Sequence, residues 1–338
     1  MKTLSIIACA ACSLVVAACG GGGGGGGGGN PPPTAGPAMV SVSAANATAA
    51  AGAVFDANQM LAQPGPAAGV VTGASVSVTG KGFSLADLAR NELLKFALGQ
   101  AAGTVVATGA QIVGTKICSG GGSALVTLND NDGNANISTG DTATLVFTNC
   151  VEAGATMNGS VGLTNVSVTG DPNMATGTLS LGSTFTLNNF SVVDGADTFT
   201  TNGAFNLTIS LDQAHVNATT AISGTSLGIV RNGVNLTLTD FSATLTDNLS
   251  TDAFTYQSKG TVNSSRLNGA VTFDTLTPFH GTGSDFPSGG VFKAVGANGT
   301  SVTLTTVDNT RVTLGIDANG DGQVDSTLDR TWAEIDAA

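Results

Sequence analysis

The sequence has few charged residues and very few basic ones. Only 10% of its 338 residues are charged, and Asp and Glu outnumber Lys and Arg by 23 to 11. Proteins neutralise phosphate groups with clustered Lys and Arg, and an anionic membrane surface attracts the same residues. We therefore expect neither nucleic-acid binding nor attachment to a membrane by charge.

The sequence also lacks the usual catalytic motifs. It contains no Walker loop, no H-E-x-x-H motif and no paired-Glu arrangement. A G-x-S-x-G pattern occurs at residues 224–228, but a strand follows it where a nucleophile elbow requires a helix. A catalytic triad would also need His215 or His280, which we place on a solvated strand face and in a loop. We therefore expect no enzyme activity.

The first long apolar run lies at the N-terminus. Lys2 precedes apolar residues 4–18, and the small residues Val16-Ala17-Ala18 lead directly into Cys19. This arrangement resembles a bacterial lipoprotein signal peptide with its lipobox. The resemblance implies cleavage before Cys19 and acylation of Cys19 as the first mature residue. The alternative is an ordinary secretory signal in which the cysteine is incidental.

Glycine and proline dominate the residues after Cys19. An unbroken glycine run covers residues 20–29, and Pro31-Pro32-Pro33 follows after one residue. Glycine runs are flexible and proline runs are stiff, so this segment predicts a tether that holds the domain away from the membrane. Gly20 in place of Asp resembles the outer-membrane class of Gram-negative lipoproteins. No second run of about 20 apolar residues follows, so the lipid would be the membrane attachment.

Cysteines are scarce once the leader is removed. Of the five, Cys9 and Cys12 lie in the apolar leader and Cys19 is the predicted lipid site. The mature fold keeps Cys118 and Cys150. Because an even pair in an oxidising compartment forms a disulfide, we predict that these two residues are bridged.

Two helices are predicted before residue 100. Residues 43–63 are rich in Ala with spaced apolar positions, and the turn at Pro64-Gly65-Pro66 ends this segment. Residues 84–98 begin with a capping box formed by Ser84 and Asp87. We expect both helices to pack on the sheet that follows.

From about Val105 the apolar residues alternate with Thr, Ser and Asn, as at residues 205–211 and 234–239. Repeated alternation indicates antiparallel strands with one buried face. Asn-Gly pairs are typical of hairpin turns. We take five such pairs among these segments as turn signals, at Asn158-Gly159, Asn202-Gly203, Asn232-Gly233, Asn268-Gly269 and Asn298-Gly299.

This pattern predicts a mainly β fold, an antiparallel up-and-down meander with a small N-terminal helical portion. The meander can close as a barrel, fold as a sandwich, or curl as a half-barrel with the helices on its concave side. A transmembrane β-barrel has similar periodicity. Aromatic residues at 5%, the terminal Ala338 in place of a closing aromatic, and the lipid anchor argue against that alternative.

Residues 130–141 have the spacing of a 12-residue calcium loop. Oxygen ligands would come from Asp130, Asp132, Asn134, the Asn136 carbonyl, Ser138 through water, and Asp141. Ala135 stands where such loops have glycine, and Asp141 replaces a longer Glu. The alternative is an Asx-rich hairpin loop between strands at residues 124–128 and 142–147.

Residues 317–325 form a second acidic loop. Its oxygen-bearing residues are Asp317, Asn319, Asp321 and Asp325. The spacing resembles the D-x-D-x-D-G-x-x-D loops in hairpins of calcium-binding β-domains, and Asp329 could add a carboxylate. The alternative is a solvated turn. Because no helix flanks either loop, we expect structural Ca²⁺ sites that do not act as sensors.

Residues 118–150 combine several of these features in a fixed order. They contain a cysteine, a glycine run, an acidic loop that ends in Gly-Asp, and a strand that ends in Asn-Cys. This order, Cys118 to Gly122, then the first loop, then Asn149-Cys150, resembles a recurring pattern in proteobacterial outer-membrane lipoproteins. The resemblance extends loosely to Asn158-Gly159 and to residues 317–332. It implies no activity. A Cys118–Cys150 bridge would clamp the hairpin that carries the first loop.

The sequence therefore predicts a signal peptide, a lipidated tether, a helical portion and a β domain, at residues 1–18, 19–40, 41–100 and 101–338. We expect a non-catalytic structural or adhesion module of the envelope or cell surface. Its lipid would anchor it to the outer membrane, on either face, where an envelope or surface protein would be its partner. The alternative is a carrier of a lipid or lipoprotein acyl chain, a hydrophobic ligand that half-barrel lipoprotein chaperones hold in a curled sheet.

Overall fold

The fold is known from a computed structural model. It describes residues 36–62, 84, 85, 89, 104–108, 111–134, 137–152, 154–170, 177–212, 214, 216–283 and 285–338. The predicted signal peptide, most of the predicted tether, Cys19, Asn136 and His215 lie outside these residues. The elements below belong to the compact unit Pro37–Ala338.

In the described part of the chain, fifteen strands form one antiparallel sheet in which each strand pairs with the next along the chain. The strands are β1 (Thr104–Thr108), β2 (Gln111–Ile117), β3 (Ser123–Asn129), β4 (Thr142–Glu152), β5 (Ala155–Thr169), β6 (Leu179–Asp194), β7 (Asp197–Leu211), β8 (Asn217–Arg231), β9 (Val234–Asn248), β10 (Ala253–Ser264), β11 (Gly269–Thr282), β12 (Gly289–Val295), β13 (Ser301–Thr306), β14 (Arg311–Asp317) and β15 (Ser326–Thr331). The predicted meander is confirmed. Because no pairing among these residues joins β1 to β15, the sheet is open, which matches the half-barrel and not the closed barrel.

A helix packs against the later strands of the sheet. Helix α1 (Ala47–Ala62) is rich in Ala, the strongest helix former, and it lies within the predicted segment 43–63. Every residue from Ala50 to Leu61 is buried. The helix packs against β9, β10 and β12 to β14. Because one flat sheet covers only one face of a helix, we infer that the sheet curls around α1.

Of the second predicted helix, the structure describes three residues. Leu85 and Ala89 are helical and buried, as predicted for one apolar face, and Ser84 is also buried. The rest of residues 84–98 lies outside the described residues, as does the turn predicted at residues 64–66.

A short second helix, α2 (Trp332–Asp336), follows β15 and was not predicted. Thr331 and Glu334 form a reciprocal capping box at its start. The Trp332 ring lies 4.8 Å from the Phe55 ring, and its Nε1 donates a hydrogen bond to the Asp308 carbonyl oxygen, 3.2 Å away. Trp332 therefore holds α2 against α1.

Three of the five Asn-Gly pairs make turns, as predicted. Asn232-Gly233 joins β8 to β9, Asn268-Gly269 ends the turn from β10 to β11, and Asn298-Gly299 lies between β12 and β13. Each of these asparagines has a positive φ. Asn tolerates this conformation better than other residues with a side chain, which is why the pair is typical of hairpin turns.

The other two Asn-Gly pairs were predicted as turns, and this prediction was wrong. Asn158-Gly159 lies inside β5 and Asn202-Gly203 inside β7, at register shifts with the neighbouring strand. The Oδ1 atom of Asn158 accepts a hydrogen bond from the N–H of Asn149 in β4, 2.8 Å away. The Oδ1 atom of Asn202 does the same for Asn189 in β6, at 2.7 Å.

Asn149 and Asn189 have φ values of 46° and 45°, so each is the irregular residue of a bulge. The ladder leaves the N–H of such a residue without its usual partner, and the Asn side chain of the next strand supplies one. Bulges bend a strand and increase its twist. We infer that these two bulges, with the hydrogen bonds that their N–H groups donate to Asn158 and Asn202, help to curl the sheet around α1.

Two arginines meet a buried carboxylate of α1. Asp56 is 5% exposed, and each of its carboxylate oxygens lies 3.5 Å from a guanidinium, that of Arg231 at the end of β8 or that of Arg266 in the β10–β11 turn. Gln59 accepts a hydrogen bond from Arg231, at 3.3 Å, and donates one to Asp336, at 3.1 Å. This buried network joins α1, the sheet and α2.

Burial raises the pKa of Asp56 to about 6, although the positive charges of Arg231 and Arg266 act to lower it. The negative charge of Asp336 adds to the increase. A buried carboxylate takes up a proton more readily because its charged form has lost hydration.

We predict that Gly159→Ala destabilises the fold far more than Gly154→Ala. The two glycines have φ values of 94° and 92°, so both substitutions carry the same left-handed strain of about 1–2 kcal/mol. A Cβ at Gly159 would overlap the Asn189 carbonyl oxygen, whereas nothing lies within 4 Å of one at Gly154. Urea unfolding should show at least about 2 kcal/mol more loss for Gly159→Ala. Equal losses would contradict the bulge geometry.

We predict that Asp56 makes stability fall with rising pH. Its folded pKa lies above its ordinary value of 3.8, so the unfolded chain releases this proton first. The free energy of unfolding should therefore fall between about pH 4 and pH 6, by up to about 3 kcal/mol. Asp56→Asn removes the titrating group and should flatten this part of the pH profile in urea unfolding. Parallel profiles for the two chains would refute this assignment.

Candidate metal centre

The first acidic loop connects β3 to β4 and brings three carboxylates together. Asp130 follows β3 directly and Asp141 precedes β4, so the two ends of the hairpin place them side by side. Asp130 is 3% exposed and Asp141 is fully buried, whereas Asp132 is exposed. One oxygen from each of the three lies within 4.8 Å of the others.

Polar groups of the loop hold these carboxylates in place. Asp141 accepts hydrogen bonds from the N–H groups of Asn131, at 2.8 Å, and Ser138, at 2.7 Å. The Ser138 hydroxyl donates to Asp132, at 2.9 Å, and Asn134 Nδ2 donates to the same oxygen, at 2.8 Å. Ca²⁺ takes six to eight oxygen ligands, and a cluster of carboxylates of this kind provides the charge it prefers. Asn136, the remaining predicted ligand, lies outside the described residues.

Repulsion among the three carboxylates favours binding of a cation. Two like charges about 4 Å apart repel by about 1 kcal/mol in water and by about 4 kcal/mol near a protein surface. A divalent cation between the three carboxylates would turn this repulsion into attraction. The residues present therefore fit Ca²⁺, with Asp130, Asp132 and Asp141 as its carboxylate ligands.

The second acidic loop has a different geometry. Asp317 is 4% exposed, and its two carboxylate oxygens accept hydrogen bonds from the N–H groups of Gly320, at 2.7 Å, and Gly322, at 2.8 Å. Asp325 accepts from Ala318, at 2.8 Å. Loop amides thus hold these carboxylates, as they hold Asp130 and Asp141 in the first loop.

Asn319 and Asp321 take part in the same pattern. Asn319 Oδ1 accepts from the N–H of Asp321, and Asp321 from that of Gln323, each at 2.8 Å. Among the fully described residues 317–325, no three carboxylates converge as they do in the first loop. Strands flank both loops, as predicted.

The predicted disulfide is confirmed. Cys118 and Cys150 are bonded, with Cα atoms 5.3 Å apart. Cys118 follows β2 and Cys150 lies in β4, so the bond ties the β2–β3 turn to the base of the hairpin that carries the first loop. Next to it, Glu152 accepts a hydrogen bond from the Ser119 hydroxyl, at 2.7 Å, and lies 3.3 Å from the Lys116 ammonium.

The G-x-S-x-G pattern has no elbow geometry. Residues 224–228 lie within β8, and Ser226 is an exposed strand residue. His280, which we predicted in a loop, lies instead in β11 with an exposed side chain. That prediction was wrong because Pro278, which we took as a loop signal, is accommodated where the pairing of β11 with β12 is irregular.

Sequence analysis missed a cleft beside α1, which we call the inner cleft. It is lined by Phe55 and Asn58 of α1, Phe254 and Tyr256 of β10, and residues 285–287 of the β11–β12 connection. Helix α1 precedes the other two segments by roughly 200 residues, and no spacing motif links the three.

None of the helices in the described part of the chain combines the length and hydrophobicity that a membrane crossing requires. Comparison of the chain with protein-family models, with curated proteins and with solved structures finds no match in any of the three.

We predict that removing the disulfide destabilises the fold without changing its architecture. The bond spans 32 residues, and the entropy of closing a loop of that length corresponds to about 3–4 kcal/mol. The double variant Cys118→Ser, Cys150→Ser should lose about that much in urea unfolding, and the reduced native chain should match it. A loss below about 1 kcal/mol would show that the bond does not restrain the hairpin.

Proposed function

We propose that this chain is a non-catalytic structural or adhesion module of the cell envelope, held at the outer membrane by a lipid on Cys19. In this proposal its β domain is stabilised by the Cys118–Cys150 bond and by Ca²⁺ in the β3–β4 loop. The observation that carries the proposal is the convergence of Asp130, Asp132 and Asp141 at the tip of a disulfide-clamped hairpin.

The outer face of the sheet supports a role in contact and not in catalysis. Uncharged polar side chains bond to one another across neighbouring strands. Thr184 accepts a hydrogen bond from Asn165, at 3.1 Å, and donates one to Asn206, at 2.8 Å, while the Thr219 and Thr246 hydroxyls lie 3.3 Å apart. Such cross-strand pairs stiffen a sheet and leave it polar but weakly charged.

The alternative, an acyl-chain carrier, needs an apolar cavity on the concave side of the sheet. In the described residues α1 packs against β9, β10 and β12 to β14, and the enclosed part of the inner cleft beside it has room for about one water molecule. These observations support the structural or adhesion module over the carrier, and we carry only the former forward.

We predict that the unlipidated chain binds Ca²⁺ through the first loop. The chain with Cys19→Ala, secreted to the periplasm and purified without chelator, should show Ca²⁺ adducts in native mass spectrometry that EDTA removes. Asp130→Asn should weaken binding at the first loop by at least about tenfold, since it removes one of three carboxylates from a hard cation. Asp317→Asn tests the second loop separately, because loss of an adduct in that variant would show that the second loop also binds Ca²⁺.

Asp252→Asn is the matched control, because Asp252 is an exposed turn residue whose positive φ Asn also tolerates. It should leave all adducts in place. The calcium part of the proposal fails if no adduct forms or if Asp130→Asn leaves the adducts unchanged. Reproducible turnover that a single side-chain substitution abolishes would contradict the non-catalytic part.

A further inference from the structure

The turns of the sheet alternate between its two ends. Because each strand runs antiparallel to the one before it, the turns after the even-numbered strands β2 to β14 all lie at one end. The chain enters the domain at this same end. The N–H of Val40 donates to the carbonyl oxygen of Ala270 near the start of β11, and the N–H of Ala270 donates to that of Ala38, each at 2.9 Å. We call it the tether end.

On the outer face of the sheet, aliphatic side chains recur at the tether end. The last outward residue before the turn is aliphatic in five even-numbered strands, namely Ile117 in β2, Val151 in β4, Val193 in β6, Val230 in β8 and Val295 in β12. In β14 it is Gly315, and Val324 of the following turn packs over it. Strand β10 is the exception, with Asn263. We call Ile117, Val193, Val230 and Val324 the aliphatic rim, since these four are exposed.

The opposite end of the outer face is polar. The outward residues at the ends of β3, β5, β7, β9 and β11 are Asn129, Thr169, Ser210, Asn248 and Thr282. Exposed apolar side chains scattered singly are normal on a protein surface. Those of the rim are not scattered, because three of them occupy the same position in hairpins two strands apart, at a spacing of about 10 Å. Ile117 at 73% and Val324 at 57% are among the most exposed apolar side chains described.

The depth of the rim suits a lipid surface. Its residues lie within about two positions of a turn, which at a rise of about 3.3 Å per residue is about 7 Å from the end of the sheet. Protein segments that bind a lipid interface bury their apolar side chains by about 5–10 Å. Contact of the tether end with a lipid surface would therefore take the aliphatic side chains out of water.

Charge selects the kind of surface. The turns beside the rim carry Glu152, Asp194 and the exposed Asp197, and these carboxylates would be repelled by anionic headgroups. They would likewise be repelled by the same turns of a second copy, since the formal net charge of the chain is −12. A zwitterionic lipid surface offers apolar contact without this repulsion.

The entry point of the chain favours the same partner. Residues 19–35 lie between the predicted lipid site and the tether end, so an anchor on Cys19 keeps this end near the membrane. A short flexible linker gives an effective concentration of about millimolar. Contact through a few aliphatic side chains is weak alone, but at that concentration it can hold the domain against the surface.

We propose that the aliphatic rim docks the domain, tether end first, on the zwitterionic lipid surface to which the chain is anchored. The first acidic loop joins β3 to β4 at the opposite end, so docking directs it away from the lipid. This inference rests on the proposed function, because it takes Cys19 as the anchor, and it adds a defined orientation of the module.

Quenching of tryptophan fluorescence by brominated phosphatidylcholine tests this docking. A chain that begins at Cys19 is coupled through that thiol to a maleimide lipid in the vesicle, since Cys118 and Cys150 are bonded to each other. Val193→Trp places a probe on the rim. Its fluorescence should fall by at least about half, because a ring about 5–10 Å deep in the interface meets the bromine atoms. The unsubstituted chain gives the background of the buried Trp332.

Ser210→Trp is the matched control for the position of the probe. Ser210 is also exposed, outward and next to the end of its strand, but it lies at the opposite end of the sheet. Its tryptophan should keep its full fluorescence in the same vesicles.

Two pairs of substitutions, each added to Val193→Trp, test the aliphatic contact itself. Ile117→Asn with Val230→Asn removes rim residues and should restore at least about half of the lost fluorescence, because apolar area drives the contact. Leu276→Asn with Val307→Asn is the control pair. Leu276 is 57% and Val307 52% exposed, and they lie within β11 and in the β13–β14 turn, away from the tether end. This pair should leave the quenching unchanged.

The proposal is overturned if Val193→Trp is not quenched, if Ser210→Trp is quenched as strongly, or if the rim pair changes nothing. A dimer of the unlipidated chain in analytical ultracentrifugation that the rim pair abolishes would also overturn it, because the rim would then bind a second copy. The coupled lipid makes this test independent of acylation in the cell. Mass spectrometry of the chain purified from membranes tests acylation of Cys19, and its absence would contradict the proposed function whatever the quenching result.

Discussion

The burial of α1 against β9, β10, β12 to β14 and α2 is the constraint on which the rest of this structure depends. A helix buried from Ala50 to Leu61 needs cover on every side, so a meander that would otherwise twist as an open layer must curl. The bulges at Asn149 and Asn189, each satisfied by an Asn of the next strand, provide part of that bend. The same enclosure desolvates Asp56 and Asn58, so α1 creates both the buried ion network and the inner cleft.

Local pattern predicted much of the fold. The alternation at Phe205, Leu207 and Ile209 reports a strand with one buried face, and an Ala-rich segment ended by prolines reports a helix. Curvature was not predictable in this way, because an Asn-Gly pair reports only that positive φ is tolerated. At Asn232-Gly233 that tolerance makes a turn, whereas at Asn158-Gly159 the ladder continues past it as a bulge. How the strand pairs with its neighbour decides between the two outcomes, and the spacing of residues in the sequence does not show that pairing.

The candidate sites differ in the same respect. The disulfide and the first loop are local, since Asp130, Asp132 and Asp141 approach one another when a single hairpin closes. In the second loop the carboxylates do not converge, which the spacing of acidic residues could not reveal. The inner cleft combines residues from α1, β10 and the β11–β12 connection, so it exists only once the sheet has formed around α1.

A crystal structure of the unlipidated chain grown with Ca²⁺ tests the central claim most directly. The account predicts an open fifteen-stranded sheet curled around α1, with an ion between Asp130, Asp132 and Asp141 at oxygen distances of about 2.3–2.6 Å. A flat sheet that leaves α1 exposed, or a first loop without an ion at saturating Ca²⁺, would contradict it.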